Sequence, residues 1–145
     1  ENAYCFEFQR RVEFHETDLA GIVHFSNFYR YMETAEHAFL RSLGHSINEQ
    51  MGETEIGWPR VNATCDFRKP VRYDDVLTIR VSIEEIRNRS VRYGFRFFID
   101  PEGPPVAEGS IAAVCVRFDD TGIHAVPIPE ALRADLVQAR EAATR

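Results

Sequence analysis

Lysine is nearly absent from this sequence, in which Lys69 is the only lysine among 17 basic residues. Acidic residues number 23, so the formal net charge at pH 7 is −6. Proteins that bind nucleic acid neutralise phosphates with a surplus of lysine and arginine. The charge balance therefore predicts no nucleic-acid partner, although a local arginine cluster would still hold an anionic ligand.

Long apolar runs and paired cysteines are also missing. No stretch of about 18 uncharged apolar residues is present, so we expect no transmembrane helix and no membrane partner. Residues 1–8 lack the basic start and long apolar core of a signal peptide. The three cysteines, Cys5, Cys65 and Cys115, form no CxxC pair and lie in strand-like apolar runs. These features predict a reduced, cytoplasmic protein.

The 145 residues suit one domain, 1–145, whose core needs no disulfide or metal. Apolar and polar residues alternate in four segments, which is the pattern of half-buried strands, and a longer apolar run follows them. These five predicted strands lie at 4–14, 61–67, 77–83, 91–99 and 106–118. Turn-forming residues between them support separate strands.

One segment has a helical period instead. Its apolar residues are Phe28, Tyr31, Met32, Ala35, Phe39, Leu40 and Leu43. We predict a deeply buried helix with Ser26 or Asn27 as its N-cap and Gly44 as its C-terminal stop. Pro129 opens a second, short helix that ends near Arg140. Because the long helix is the only element able to cover the sheet, the sequence predicts an α+β fold with a five-stranded sheet wrapped around it.

The loop at 16–25 joins the first strand to this helix and contains Asp18 and Gly21. The first turn of a helix has unpaired N–H groups and a positive dipole end, which can polarise an acyl carbonyl. Asp18 would attack that carbonyl or activate a water, or it is only a turn residue. His24 would orient the carbonyl or the water, or it is a helix-entry residue bonded to nearby backbone.

Further candidates lie outside this loop. Glu33 and His37 share a helix face, as an exposed pair or, if Glu33 is buried, as a functional carboxylate. Trp58 lines an acyl pocket or anchors the edge of a strand. No histidine and carboxylate spacing matches a zinc motif, so we expect no metal.

Two motifs in this order resemble the 4-hydroxybenzoyl-CoA thioesterase family of hotdog-fold proteins. The first is ETDLAGIV at 16–23 with NFY at 27–29, and the second is YDDVLTI at 73–79 with EIRNRS at 85–90. The resemblance covers nearly the whole chain. It implies the hotdog fold, with an antiparallel sheet, and hydrolysis of an aromatic or short- to medium-chain acyl-CoA without a metal or redox cofactor.

The resemblance also implies roles for individual residues. Asp18 matches the catalytic aspartate, which acts as nucleophile or as base for water, and Gly21 matches the loop glycine that allows close approach. Phe25 matches the helix-start position whose N–H polarises the carbonyl, where tyrosine or histidine is common. Glu33 matches an aspartate that reads the substrate hydroxyl from the neighbouring subunit in the hydroxybenzoyl branch. That branch has a tryptophan near 47–48, and its absence here argues against 4-hydroxybenzoyl-CoA itself.

At the CoA end, Arg87 and Arg89 match basic positions that hold the nucleotide phosphates, and Ser90 follows them. From residue type alone, these arginines also fit a solvated turn. Unpaired edge strands favour association with a second copy, and the family forms dimers that often stack into tetramers. We therefore expect a homo-oligomer, dimer or homotetramer, with Asp18 and the two arginines contributed by different chains.

Three alternatives stay open. Acyl-carrier-protein thioesters present the same pantetheine arm as CoA thioesters. A hotdog hydratase or dehydratase would pair His24 with Glu33, and a non-catalytic module would bind acyl-CoA or acyl-carrier protein without turnover. The presence of Asp18 counts against both non-hydrolytic functions.

Overall fold

A computed structural model of the protein describes residues 3–48, 50–51 and 54–143. The described residues form nine strands: β1 Phe6–Arg11, β2 Gln50–Met51, β3 Thr54–Gly57, β4 Arg60–Phe67, β5 Val76–Ile86, β6 Ser90–Phe98, β7 Ala107–Val114, β8 Val116–Asp119 and β9 Gly122–Ala125. They also form helix α1 at Ser26–Ser42, helix α2 at Glu130–Glu141 and a 3₁₀ turn at Phe14–Glu16. Within this part of the chain, no helix is both long and apolar enough to cross a bilayer.

The larger sheet has five antiparallel strands in the order β1-β5-β6-β7-β4. Helix α1 lies against one face of this sheet and contacts β1, β4, β5 and β7. Alternate residues of β5, such as Leu77, Ile79 and Val81, are fully buried on that face. Burying each such side chain stabilises the fold by about 1.5–3 kcal/mol. The five-stranded sheet, the long helix and the short C-terminal helix all agree with the sequence prediction.

A second, four-stranded sheet in the order β2-β3-β8-β9 was not predicted. The prediction of one strand over 106–118 is wrong, because the chain leaves the larger sheet at Cys115 and enters the smaller one. The Cys115 backbone donates a hydrogen bond to Arg89 and accepts one from Val126. These bonds lie at the point where the chain passes from β7 to β8.

Helix α1 differs from its prediction in two respects. Phe25, rather than Ser26 or Asn27, is the N-cap, and its side chain makes no capping hydrogen bond. The His24 ring supplies the cap instead, since its Nδ1 accepts the Ser26 N–H at 3.3 Å. The helix is also buried on one side only, with Glu33 exposed on the other.

Helix α1 approaches the sheet closely above Gly109 on β7. A Cβ atom at this position would lie 2.8 Å from Met32 Sδ and 2.6 Å from the Thr64 carbonyl oxygen. Both distances are shorter than van der Waals contact, so the approach requires a residue without a side chain. Gly109 therefore permits the close approach of the Met32 side chain of α1 and of the β4 backbone to β7.

Candidate active site

The loop between the 3₁₀ turn and α1 forms a small hairpin. Thr17 and Val23 pair across it, and the Asp18 N–H donates to the Ile22 carbonyl at 2.9 Å. At the tip, the Gly21 N–H donates to the Asp18 carbonyl at 2.9 Å. Gly21 has φ +80°, a left-handed conformation that strains any residue with a side chain. The loop therefore presents Asp18 on a defined turn rather than on a free coil.

The Asp18 side chain both shapes this turn and reaches solvent. Its Oδ1 accepts the Ala20 N–H at 2.9 Å, which is the local bond typical of aspartate in turns. No hydrogen bond to the other carboxylate oxygen is found among the described residues. Asp18 is exposed. The turn function and a chemical function are therefore compatible, because one oxygen remains available.

Asp18 and Phe25 line the same cavity, which has a volume of about 540 Å³. Its other lining residues are Ile22, Val23, Phe28, Phe67, Arg68, Lys69, Pro70 and Val71. The Phe67 ring packs edge-on against Phe28 at 5.1 Å and against Phe25 at 6.5 Å between centroids. The cavity is thus an apolar, aromatic space with a carboxylate on one wall.

The backbone N–H of Phe25 lies at the start of α1, next to this cavity. It has no hydrogen-bond acceptor within the described part of the chain, whereas the next three N–H groups, from Ser26 to Phe28, all have one. The N-terminus of a helix carries a partial positive charge that adds to such a free donor. This N–H can therefore polarise a carbonyl oxygen placed in the cavity.

His24 follows Asp18 by six residues but does not line this cavity. Its Nδ1 is 2.8 Å from Ser26 Oγ, and its side chain lines a separate depression with His15 and Glu16. The local bonds fit the helix-entry interpretation of His24. Among the described residues, no group of three or more histidine, cysteine or acidic side chains is arranged to hold a metal ion.

Glu33 faces away from the cavity, in a depression that it shares with Arg60. Its carboxylate is 3.5 Å from Arg60 Nη2 and its side chain is 53% exposed. The buried carboxylate on this helix is instead Glu36, whose oxygens accept from Arg60 at 2.5 and 3.0 Å. Burial raises the pKa of Glu36, and the Arg60 guanidinium opposes that rise. The spacing of Glu33 and His37 did not reveal this pair, because Arg60 lies on a distant strand.

Arg87, Arg89 and Ser90 lie at the turn between β5 and β6, with both arginines exposed. Arg87 pairs with Glu85 at 3.1 Å, and its carbonyl accepts from Arg133 of α2 at 2.5 Å. The Asp18 loop pairs with the chain just before β5, whereas this turn follows the end of β5. Eleven residues of strand place the two about 33 Å apart. One protomer therefore does not bring Asp18 and these arginines together.

Sequence reasoning missed the wall formed by the end of β4. Trp58 is partly buried against the core and does not line the Asp18 cavity. Phe67, Arg68 and Lys69 line it instead. Arg68 is paired with Glu108 at 3.1 Å. The residues 68–70 carried only a turn signal, and nothing in their local pattern placed them beside the loop.

Comparison with known proteins gives the family. The profile of the thioesterase-like superfamily matches residues 12–136. A 4-hydroxybenzoyl-CoA thioesterase of a Pseudomonas species is 32% identical over 128 residues, 87% of this chain and 86% of that protein. A 1,4-dihydroxy-2-naphthoyl-CoA hydrolase of Thermosynechococcus vestitus is 31% identical, over 95% of this chain and 92% of the relative.

Solved structures agree with the sequence relatives. The structure of a gentisyl-coenzyme A thioesterase is 34% identical and superposes with a TM-score of 0.77. The superposition covers 90% of this chain and 99% of that one. The resemblance to hotdog-fold thioesterases drawn from the two motifs is confirmed. The protein is a thioester hydrolase, and its chain belongs to the thioesterase-like superfamily.

Proposed function

We propose that this protein hydrolyses an acyl-CoA thioester to a free acid and CoA. The observation that carries the proposal is that Asp18 and Phe25 line one cavity, and that the Phe25 backbone N–H has no acceptor in the described part of the chain. The carbonyl oxygen of the thioester accepts from the Phe25 N–H, and its carbon faces Asp18. Gly21 keeps the loop turned so that backbone and substrate approach closely.

The reaction follows from these two groups. Asp18 attacks the carbonyl carbon directly, or it removes a proton from a water that attacks. In both routes the developing negative charge on the carbonyl oxygen is stabilised by the Phe25 N–H and the helix dipole. In the direct route, the C–S bond breaks to leave an anhydride between the acyl group and Asp18, and water then hydrolyses this anhydride to the free acid and the Asp18 carboxylate. In the water route, the C–S bond breaks after the water oxygen has bonded to the carbonyl carbon. In both routes the sulfur leaves as a thiolate, which takes up a proton derived from the water to become the thiol of CoA.

We further propose an aromatic acyl group. The relatives named above act on hydroxybenzoyl, gentisyl and dihydroxynaphthoyl thioesters. The rings of Phe25, Phe28 and Phe67 offer edge and face contacts that suit a flat aryl group. Glu33 would read a polar substituent on the acyl group of a neighbouring protomer's substrate. Short and medium aliphatic chains are the competing substrates.

The CoA nucleotide would bind at Arg87, Arg89 and Ser90 of a second protomer. Guanidinium groups suit phosphate oxygens, and the separation of about 33 Å along β5 argues for a contribution from another chain. The edge strand β4 offers the surface for that association. It exposes Val61 and Phe67, and an unpaired edge with apolar side chains favours pairing with a copy of itself.

The proposal is tested by free-thiol release from a panel of aromatic and aliphatic acyl-CoAs, with wild type and Asp18→Asn in parallel. We expect a loss of about 100-fold in kcat, or about 2.7 kcal/mol of transition-state stabilisation. Asparagine keeps the turn, because its amide oxygen still accepts the Ala20 N–H.

Asp100 offers a matched control. It makes the same turn, accepting the Glu102 N–H at 3.0 Å and the Gly103 N–H at 2.9 Å, outside the cavity. We expect Asp100→Asn to retain wild-type turnover. Equal activities of the two variants and the wild type would remove Asp18 from the mechanism. No thiol release from any acyl-CoA would leave a carrier-protein thioester as the substrate to assay next.

A further inference from the structure

Glu16 carries a buried carboxylate two residues before the exposed Asp18. Its side chain is 7% exposed and forms an ion pair with Arg10 of β1. The other carboxylate oxygen, Oε1, accepts the Tyr31 hydroxyl of α1 at 2.9 Å and the Glu13 N–H at 2.8 Å. One carboxylate therefore joins the first strand, the 3₁₀ turn and the helix.

The backbone of the same residue binds the far end of the loop. The Glu16 carbonyl accepts the His24 N–H at 2.9 Å and the Asn27 side-chain amide at 2.8 Å. The loop at 17–23 thus leaves from Glu16 and returns to it. Asp18 lies within this closed loop, and Phe25 follows directly after its return.

We infer that Glu16 is a positioning residue that holds the Asp18 carboxylate and the Phe25 N–H in fixed relation across the cavity. The inference rests on the proposed function, in which these two groups act on one carbonyl. Misplacement of about 1 Å in such a pair costs about 100-fold in rate. Burial and the Glu16 carboxylate raise the pKa of Tyr31, so its hydroxyl remains a proton donor to Glu16 throughout the working pH range.

The substitution Glu16→Gln tests this role because it removes the charge and keeps the size of the side chain. It leaves the Arg10 guanidinium without its carboxylate partner, so the ion pair between the loop and β1 is lost while the bonds to the backbone carbonyl of residue 16 remain. We expect kcat for the best acyl-CoA to fall about 100-fold with KM nearly unchanged. In an Asp18→Asn background, the same substitution should lower kcat less than about threefold. This is close to the error with which the effects of independent substitutions add.

Val81→Ala provides the stability control. Val81 is fully buried on β5, where it pairs with Phe6 of β1 and Phe95 of β6, and it does not line the cavity. We expect it to lower the melting temperature while kcat stays near wild type. Two results would overturn the positioning role. In the first, Val81→Ala lowers kcat as much as Glu16→Gln does at an equal loss of stability. In the second, the kcat losses of Glu16→Gln and Asp18→Asn multiply in the double variant.

Hydrogen exchange separates this inference from the proposed function. In Glu16→Gln, the hydrogen-bonded amides at 17–24 should exchange at least about tenfold faster, a change of about 1.4 kcal/mol in local opening, while those of β5 keep their protection. This result stands even if Asp18→Asn proves fully active. Unchanged exchange at these amides would refute the inference. Should Glu16→Gln fail to fold, Tyr31→Phe removes one bond to the same carboxylate, and it must then raise exchange at the same amides for the inference to hold.

Discussion

The ion pair between Glu36 and Arg60 allows a quantitative prediction of stability and its pH dependence. Glu36 is 1% exposed on α1, and the Arg60 guanidinium from β4 holds both of its oxygens. We consider Arg60→Met, which keeps much of the apolar stem and removes the charge. The buried carboxylate then loses its partner, which at neutral pH costs about 3–5 kcal/mol.

The cost depends on pH in a direction that the pKa of Glu36 fixes. Burial already raises this pKa above its value of 4.5 in an unfolded chain, and removal of Arg60 raises it further. Between pH 4.5 and the raised pKa of Glu36 in the folded variant, the folded protein binds more protons than the unfolded chain. The free energy of unfolding therefore falls as pH rises through this window. Below pH 4.5, Glu36 is protonated in both states, and the charge no longer contributes to the loss.

Urea denaturation at pH 8 and pH 4.5 measures both effects. We expect Arg60→Met to lower the free energy of unfolding by about 3–5 kcal/mol at pH 8, and by roughly half of that or less at pH 4.5. In a thermal melt, the loss at pH 8 corresponds to about 6–20 °C in melting temperature. The double variant Arg60→Met with Glu36→Leu should recover most of the loss, because an apolar pair replaces an unpaired charge. An equal loss at both pH values, or no recovery in the double variant, would refute this reasoning.

Two further predictions concern substrate binding and assembly. The double variant Arg87→Ala with Arg89→Ala should raise KM for an acyl-CoA at least tenfold, since each charge-assisted contact contributes about 1.5–3 kcal/mol. KM for the matching N-acetylcysteamine thioester should stay unchanged, because that substrate has no phosphates. An equal rise for both substrates in steady-state kinetics would contradict the phosphate role. Val61→Lys should shift the molar mass from light scattering toward the protomer, because a charge on the exposed face of β4 opposes edge pairing. An unchanged mass would place the interface elsewhere.

The sequence predicted the larger sheet well because four of its strands lie in segments with alternating residues, as in β5, and the fifth, β7, lies in a longer apolar run. The smaller sheet escaped prediction because β2, β3, β8 and β9 contain only two to four residues each, too few for a period to appear. The N-cap of α1 was misplaced for a different reason. The His24 ring accepts the N–H that a serine or asparagine usually accepts, and propensity does not anticipate that arrangement.

For the site, local motifs predicted the loop but not what surrounds it. Asp18, Gly21 and Phe25 lie within eight consecutive residues, so the resemblance located them together. Lys69 reaches the same cavity only because the chain after β4 runs alongside the loop, where Arg72 pairs with Ile22. The Glu36–Arg60 pair spans 24 residues and two elements, and no spacing rule connects them.

The close approach at Gly109 marks a position at which an added side chain would change how α1 packs. A Cβ atom there would lie 2.8 Å from Met32 Sδ of α1 and 2.6 Å from the Thr64 carbonyl oxygen of β4. A larger residue would therefore press on the helix side chain and on the neighbouring strand, whereas glycine lets both stay close. With glycine at this position, we expect differences in acyl specificity to come from the side chains of Phe25, Phe28 and Phe67, which line the cavity.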